Sequence, residues 1–180
     1  MSRLAIPTLD TAPAASRPLL DAVNGQLGTV PNLFRLIGTS PAVLEGFLAY
    51  SGALGKTLDL KTRNRIALVT AQANGCDYCL SAHSYLGANL AKLDEAEMMA
   101  NRRGHSADAN ADAALVFAKK VVETKGKVAD ADLAAVKLAG FSDAQVVEIV
   151  ANVVVNVFTN FLNNVAATDI DFPVVRAQAA

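Results

Sequence analysis

The sequence predicts an all-α protein of a single domain, and three observations lead to that prediction. Its 180 residues are 52% hydrophobic but only 6% aromatic, so alanine, valine and leucine supply most of the apolar surface. Alanine and leucine favour helices that pack closely on other helices. No stretch alternates apolar and polar residues as a half-buried strand does. Capping residues, glycines and prolines instead divide the chain into segments of helical length.

Prolines and glycines mark the boundaries in the first third of the chain. Proline tolerates the first turn of a helix, where its missing N–H needs no partner, and glycine favours the turn after the last. On these grounds we expect helices over residues 17–26, 31–37 and 41–54. The preceding residues 1–15 contain two prolines and are expected to form an extended arm.

Two helices are expected in the middle of the chain, over residues 61–72 and 76–91. The pair Asn74-Gly75 separates them, and such a pair often ends one helix before another begins.

Acidic and hydroxyl caps mark the helices of the second half. Each of these helices begins near such a cap, and glycines follow three of them. The last has Ser142 and Gln145 at the spacing of a capping box. The expected ranges are 94–103, 108–125, 130–139 and 142–167, followed by a tail over 170–180 that Pro173 interrupts.

Net charge and hydropathy argue against nucleic-acid binding, secretion and a membrane span. The net charge is −1 and no lysine/arginine cluster occurs, so no nucleic-acid partner is expected. No charged segment precedes an apolar one near Met1, so no secretory signal is expected. The most apolar stretch, residues 146–162, carries one glutamate and three asparagines, which a bilayer would disfavour. We therefore expect no membrane span and a cytoplasmic protein.

The two cysteines of the chain, Cys76 and Cys79, lie three residues apart, and His83 follows four residues later. On a helix that begins near Cys76, the three side chains share one face. The positive end of the helix dipole favours thiolate over thiol at that position. Two thiols able to form a disulfide, beside a group that moves protons near neutral pH, are suited to two-electron redox chemistry.

Two other interpretations of these residues stay open at this point. Free cysteines are often small buried hydrophobic residues without a chemical role. Cys76, Cys79 and His83 could also supply three ligands to zinc, but the chain has no second Cys/His group and His105 is expected in a loop. We therefore predict neither a metal nor a cofactor.

The chain also resembles a known family. Residues 72–83, which read Gln-Ala-Asn-Gly-Cys-Asp-Tyr-Cys-Leu-Ser-Ala-His, resemble the core motif of the AhpD-like, carboxymuconolactone decarboxylase superfamily. Residues 30–34, 101–104 and 168–173 resemble its peroxidase-related branch, so the likeness extends over nearly the whole chain.

That resemblance implies an AhpD-like helical bundle that assembles as a homotrimer or homohexamer. It implies thiol-dependent reduction of hydrogen peroxide or organic hydroperoxides, with a dithiol protein or cofactor as the reductant. In the family pattern, Cys79 attacks the peroxide, Cys76 resolves the product as a disulfide, and His83 belongs to a proton relay.

Asn64 departs from the family pattern, which has a glutamate twelve residues before the first cysteine. An asparagine can hydrogen bond to water or imidazole but cannot accept a proton at neutral pH. His83 would then act alone, another carboxylate would substitute, or the chain would be a weak peroxidase. Asn64 could equally be a polar residue satisfied at a helix surface.

Tyr78 and the asparagines of the last helix each allow two interpretations. The Tyr78 hydroxyl could donate to a bound peroxide, but we favour a packed ring with its hydroxyl in water. Asparagines recur at about four-residue spacing near the end of the chain, and they could line a pocket beside His83 or serve structure and subunit contact. We favour the second reading for these residues, which are Asn152, Asn156, Asn160, Asn163 and Asn164.

The leading functional prediction is therefore a thiol peroxidase with Cys79, Cys76 and His83 as its catalytic residues. Asn64 motivates an alternative, a disulfide-exchange or redox-sensing protein on the same scaffold. A lyase of the carboxymuconolactone decarboxylase type is a further alternative, although its chemistry does not need a thiol pair.

Overall fold

A computed structural model describes residues 2–178. Over this range the chain is helical and contains no β-strand, which confirms the predicted all-α class. The helices are α1 (Arg17–Leu27), α2 (Asn32–Ile37), α3 (Pro41–Leu54), α4 (Leu60–Ala73), α5 (Asp77–Leu86), α6 (Glu95–Arg102), α7 (Ala109–Glu123), α8 (Asp130–Leu138) and α9 (Asp143–Ala166). Residues 1, 179 and 180, the outer ends of the predicted arm and tail, lie outside the described residues.

Helix α4 is the central helix of the bundle. It packs against α5, α6, α7 and α9, and its residues 64–71 are all buried. Ile66 and Val69 belong to the main core, which also takes Leu115 from α7 and both Ile149 and Val153 from α9. Because α4 is covered on several sides, the polar side chains at its start must find partners inside the protein.

Helix α5 begins one residue later than predicted, because Cys76 is its N-cap rather than its first helical residue. After Leu86 the chain continues in a wider π turn, Gly87–Ala91, so the predicted end of the segment is confirmed. A Cβ at Gly87 would lie 2.7 Å from Asn64 Nδ2 and 2.9 Å from Met98 Sδ. The absence of a side chain at Gly87 therefore allows α4 and α6 to approach this turn closely.

Capping behaves as the sequence predicts at several helices. The Asp94 side chain accepts from the N–H of Glu97, and Asp108 accepts from Asn110 and Ala111. Ser142 and Gln145 form the predicted capping box at the start of α9.

Helix α9 is the one helix within residues 2–178 that has the length and hydropathy of a membrane span. It contacts α3, α4, α5, α7 and α8, and residues such as Ile149 and Asn160 are fully buried. The protein buries 33% of the most apolar window of α9, so length and hydropathy alone are weak evidence for a membrane span.

The tail after α9 crosses the start of α5. Val175 N–H donates to Ser81 Oγ at 2.9 Å, and Ala177 N–H donates to the Asp77 carboxylate at 2.8 Å. Arg176 forms an ion pair with the same carboxylate at 2.7 Å. Tail residues 170, 172, 175 and 177 also pack against the cluster that contains both cysteines. The tail therefore covers the thiol pair on one side.

Candidate active site

Cys76 and Cys79 contact each other at the start of α5. The backbone N–H of Cys79 donates to Cys76 Sγ at 3.2 Å, as expected when a cysteine is the N-cap of a helix. Both thiols are free, and the residues are 0% and 3% exposed. The structure thus brings together the two thiols that the sequence singled out.

The two thiols have opposite tendencies to ionise. The thiol of Cys76 donates to Cys79, and this bond lowers the pKa of Cys79 and raises the pKa of Cys76 above its ordinary value. Burial opposes ionisation at Cys79, but further donors on α9 lower its pKa. Of the two thiols, Cys79 is therefore the one whose surroundings favour the thiolate.

Two asparagines of α9 supply much of that stabilisation. Asn163 Nδ2 donates to Cys79 Sγ at 3.3 Å. Asn160 also lowers the pKa of Cys79, although its Nδ2 makes no hydrogen bond of ordinary geometry and is buried. Its Oδ1 accepts from Asn74 at 3.0 Å, and that bond directs the Nδ2 group of Asn160 away from Asn74. When Cys79 is ionised, its sulfur can accept a hydrogen bond from Asn160 Nδ2, which otherwise has no acceptor.

His83 is held by Asn64 through two hydrogen bonds. Asn64 Nδ2 donates to the backbone carbonyl of His83 at 3.1 Å, and Asn64 Oδ1 lies 3.2 Å from His83 Nδ1. A carbonyl can only accept, so the amide orientation is fixed and Oδ1 must face the ring. His83 Nδ1 therefore carries the proton, and Nε2 is the atom left to accept one.

Burial lowers the pKa of His83 to about 4. No charged partner contributes to this shift, so the ring is neutral at pH 7. His83 lies one turn after Cys79 on α5, and a neutral imidazole at that spacing can accept a proton from the thiol.

Asn64 is only 6% exposed, so the reading of it as a helix-surface residue is wrong. It occupies the position where the family pattern has a glutamate, and it keeps the contact to His83. An amide can position the ring and fix its tautomer but cannot take up its proton. No aspartate or glutamate in the described part of the chain lines the cavity beside His83, so no other carboxylate replaces that function there.

A cavity of about 480 Å³ lies beside these residues. Asn64, Tyr78 and His83 line it, together with Thr159, whose hydroxyl side chain also lowers the pKa of Cys79. Neither sulfur forms part of the cavity wall, so Cys79 lies just behind these side chains. A substrate in the cavity would approach the thiolate past Thr159, Tyr78 and His83.

Tyr78 is 4% exposed, and the prediction that its hydroxyl points to water is wrong. The hydroxyl oxygen accepts from the backbone N–H of Leu33 at 3.1 Å, and the ring packs edge-on against Phe172. Burial raises the pKa of this phenol above its usual range. Tyr78 thus joins the first turn of α2 to α5 and forms part of the cavity wall.

The asparagines of α9 combine both roles that the sequence allowed. Asn152 and Asn156 line the cavity and donate to carbonyls of their own helix at 2.8 Å. Asn163 contacts Cys79, while Asn164 binds the carbonyl of Asn74. The four-residue repeat was the signal for a functional face, but only the packing of α9 on α5 shows which members reach the thiol.

The zinc reading gains no support from the geometry. No group of three or more histidine, cysteine or acidic side chains among residues 2–178 is arranged to hold a metal ion.

Comparisons with known proteins agree with this geometry. Residues 41–124 match the model of the carboxymuconolactone decarboxylase family. A solved structure of the AhpD core of an uncharacterized peroxidase-related protein from Ralstonia eutropha JMP134 superposes with a TM-score of 0.83 at 28% identity, over 94% of this chain and 92% of that one. The chain is thus similar to the AhpD-like, carboxymuconolactone decarboxylase superfamily, in sequence over residues 41–124 and in fold over nearly its whole length.

Other solved structures share the fold. An uncharacterized peroxidase-related protein from Silicibacter sp. TM1040 is similar with a TM-score of 0.81 at 25% identity, covering 93% of this chain and 91% of that one. The debrominase Bmp8 shares the fold with a TM-score of 0.76 at 20% identity, over 94% of this chain and 91% of that one. The comparison with curated proteins gave no match.

Proposed function

We propose that this protein is a cytoplasmic thiol peroxidase that reduces hydrogen peroxide or organic hydroperoxides. The observation that carries the proposal is the contact between Cys76 and Cys79 at the start of α5, with Asn163 donating to the Cys79 sulfur and His83 at the edge of a cavity. The superfamily and its peroxidase-related members support the same chemistry.

The first step is the attack of the Cys79 thiolate on the terminal oxygen of the hydroperoxide. The O–O bond breaks, Cys79 becomes a sulfenic acid, and the remaining oxygen leaves as an alkoxide. His83 Nε2 takes the proton that Cys79 gives up on ionisation and returns it to the alkoxide, which becomes an alcohol. The amides of Asn160 and Asn163 stabilise the negative charge at Cys79 until the attack.

The second step is the attack of Cys76 on the sulfenic sulfur. The S–O bond breaks, a disulfide forms, and the hydroxyl leaves with the Cys76 proton as water. Two thiols have then been oxidised and one peroxide reduced. A dithiol protein or cofactor returns two electrons and two protons by thiol–disulfide exchange, which restores Cys76 and Cys79.

Single-turnover oxidation of the reduced protein by one equivalent of cumene hydroperoxide tests this proposal. The wild type should lose two thiols and form a disulfide, whereas Cys79→Ser should keep its remaining thiol. Cys76→Ser is the matched control, because it should still react once and stop at a sulfenic acid that dimedone traps. Unchanged peroxide consumption in Cys79→Ser would remove the basis for the assignment.

Disulfide exchange or redox sensing is the second candidate, and the Asn64–His83 contact favours it, because the relay lacks its carboxylate. Oxidation by peroxide no faster than that of free cysteine, together with rapid exchange with a disulfide substrate, would support this candidate instead.

Assembly as a homotrimer or homohexamer is part of the proposal. Large apolar side chains are exposed along one face of α9, at Val147, Val154, Phe158, Phe161 and Val165. Exposed apolar surface of this extent is typical of a face covered by another subunit.

A further inference from the structure

Arg63 is a cation without a partner on the wall of the cavity. Its Nε is buried and makes no hydrogen bond, and the guanidinium forms no ion pair with any residue in the range 2–178. Arg65, two residues later on α4, binds Glu97 at 2.9 Å. Arg63 thus differs from its neighbour, which is neutralised inside the protein.

A structural explanation for Arg63 would be that it binds the carbonyls at the end of α3. Its Nη1 does lie near this end, 3.4 Å from where a Cβ of Gly55 would stand. However, the backbone N–H groups of Gly55 and Thr57 and the Thr57 hydroxyl occupy the carbonyls there, and none of those carbonyls accepts from Arg63. The guanidinium therefore keeps its donors for another acceptor.

The rest of the cavity is mostly apolar. Leu33, Phe34, Phe47, Leu86 and Phe172 form much of its wall, and no acidic side chain from residues 2–178 faces Arg63 across it. Arg63 is only half-buried, so the free N–H donors at the end of its guanidinium are open to solvent and to any ligand in the cavity. The planar fork of N–H donors on the Arg63 guanidinium matches the two oxygens of a carboxylate.

We infer that the cavity binds an organic carboxylate with an apolar body, its carboxylate at Arg63 and its body along the aromatic and aliphatic wall. A volume of about 480 Å³ lies in the range of sites for small organic ligands. His83 and Tyr78 line the same cavity, so the far part of such a ligand reaches the region next to Cys79. On the basis of the proposed function, the substrates of this protein are hydroperoxides of amphipathic carboxylic acids.

Calorimetric titration with octanoate and with 1-octanol tests the carboxylate site without any redox step. The reduced wild type should bind octanoate more tightly than 1-octanol by about tenfold or more, the value of a charge-assisted bidentate contact. Arg63→Met should remove this preference, and Arg63→Lys should keep part of it. Arg103→Met is the matched control, because Arg103 is exposed and does not line the cavity, and it should bind like the wild type.

Equal binding of octanoate and 1-octanol by the wild type, or an octanoate preference that survives in a folded Arg63→Met protein, would overturn the inference. Circular dichroism of each variant shows whether it is folded. Oxidation by cumene hydroperoxide, which carries no charge, tests the proposed function separately. A wild type that reacts with it but shows no octanoate preference would refute the carboxylate site alone, and the opposite pattern would refute the peroxidase alone.

Discussion

Asn64 and His83 hold each other through both functional groups of one amide. The Asn64 carbonyl oxygen lies 3.2 Å from His83 Nδ1, and its Nδ2 donates to the His83 backbone carbonyl at 3.1 Å. Where the family pattern has a carboxylate beside the histidine, this protein has a neutral amide that binds both the ring and the backbone of His83. The tautomer of His83 is kept, and the proton acceptor behind the ring is lost.

Restoring a carboxylate at position 64 should therefore speed the oxidation of Cys79. In Asn64→Glu or Asn64→Asp, a negative charge beside Nδ1–H would raise the pKa of His83 and make Nε2 a stronger base. We expect the rate with cumene hydroperoxide at pH 7 to rise by about tenfold or more. Stopped-flow oxidation of the reduced protein measures it. An unchanged rate in both folded variants would show that proton transfer through His83 does not limit the oxidation of Cys79.

Loss of the Asn163 donor should make Cys79 harder to ionise. In Asn163→Ala the sulfur loses a hydrogen bond that lowers its pKa, so we expect the pKa of Cys79 to rise and the reaction at pH 7 to slow. The ultraviolet absorbance of the thiolate, followed against pH, measures the change. Asn164→Ala is the neighbouring control, since Asn164 binds only the carbonyl of Asn74. Equal titration curves for the two variants would contradict the role of Asn163.

His83 should make the fold less stable as the pH falls. Its pKa is about 4 in the folded protein, below the value of about 6.5 in an unfolded chain. Between these two values the unfolded state binds more protons, so stability is complete above about pH 6.5 and is lost as the pH falls towards 4. Urea unfolding at pH 7 and pH 5 should show this loss in the wild type and less of it in His83→Gln.

Gly87→Ala should destabilise the protein and disturb the site. The new methyl group would overlap Asn64 Nδ2 and Met98 Sδ, at 2.7 and 2.9 Å. We expect a loss of about 1–3 kcal/mol in the free energy of unfolding, the usual cost of overpacking. Gly52→Ala, inside α3 with nothing within 4 Å of its Cβ, is the matched control and should stabilise slightly. A Gly87→Ala protein as stable as the wild type would show that Asn64 and Met98 move aside freely.

Phe161→Glu should weaken the proposed association of subunits. Phe161 is 55% exposed on the apolar face of α9, where a covering subunit would bury the new charge. Light scattering should report a smaller mass than for the wild type. Leu138→Glu is the control, because Leu138 is 88% exposed on α8 and does not belong to the α9 face. A wild type that is monomeric at working concentrations would refute the assembly.

The sequence predicted correctly the features that depend on residues close together in the chain. The spacing of Cys76, Cys79 and His83 placed them on one helix because side chains three and four residues apart share a helix face. Cap residues such as Asp94 and Ser142 predicted where helices begin for the same reason, since they satisfy N–H groups only three residues away.

Contacts between segments far apart in the chain could not be predicted from residue spacing. Asn163 lies 84 residues from Cys79 in the chain, and nothing in the spacing shows which asparagine of α9 faces α5. The prediction for the Tyr78 hydroxyl was wrong because its partner, the N–H of Leu33 in α2, lies 45 residues earlier in the chain. Asn64 was placed beside His83 only by family resemblance, and the orientation of its amide became clear only from the backbone carbonyl that it binds.

The Cys79 thiolate is stabilised by neutral donors, whereas the tail that covers it is anchored by an ion pair. Added salt screens exposed charges over about 8 Å at physiological ionic strength but acts little on buried dipoles. The Asp77–Arg176 pair, with Arg176 72% exposed, should therefore weaken as ionic strength rises, while the nucleophile keeps its acidity. Higher salt should thus weaken this one anchor of the tail, while its backbone hydrogen bonds and apolar contacts remain and the acidity of the nucleophile is unchanged.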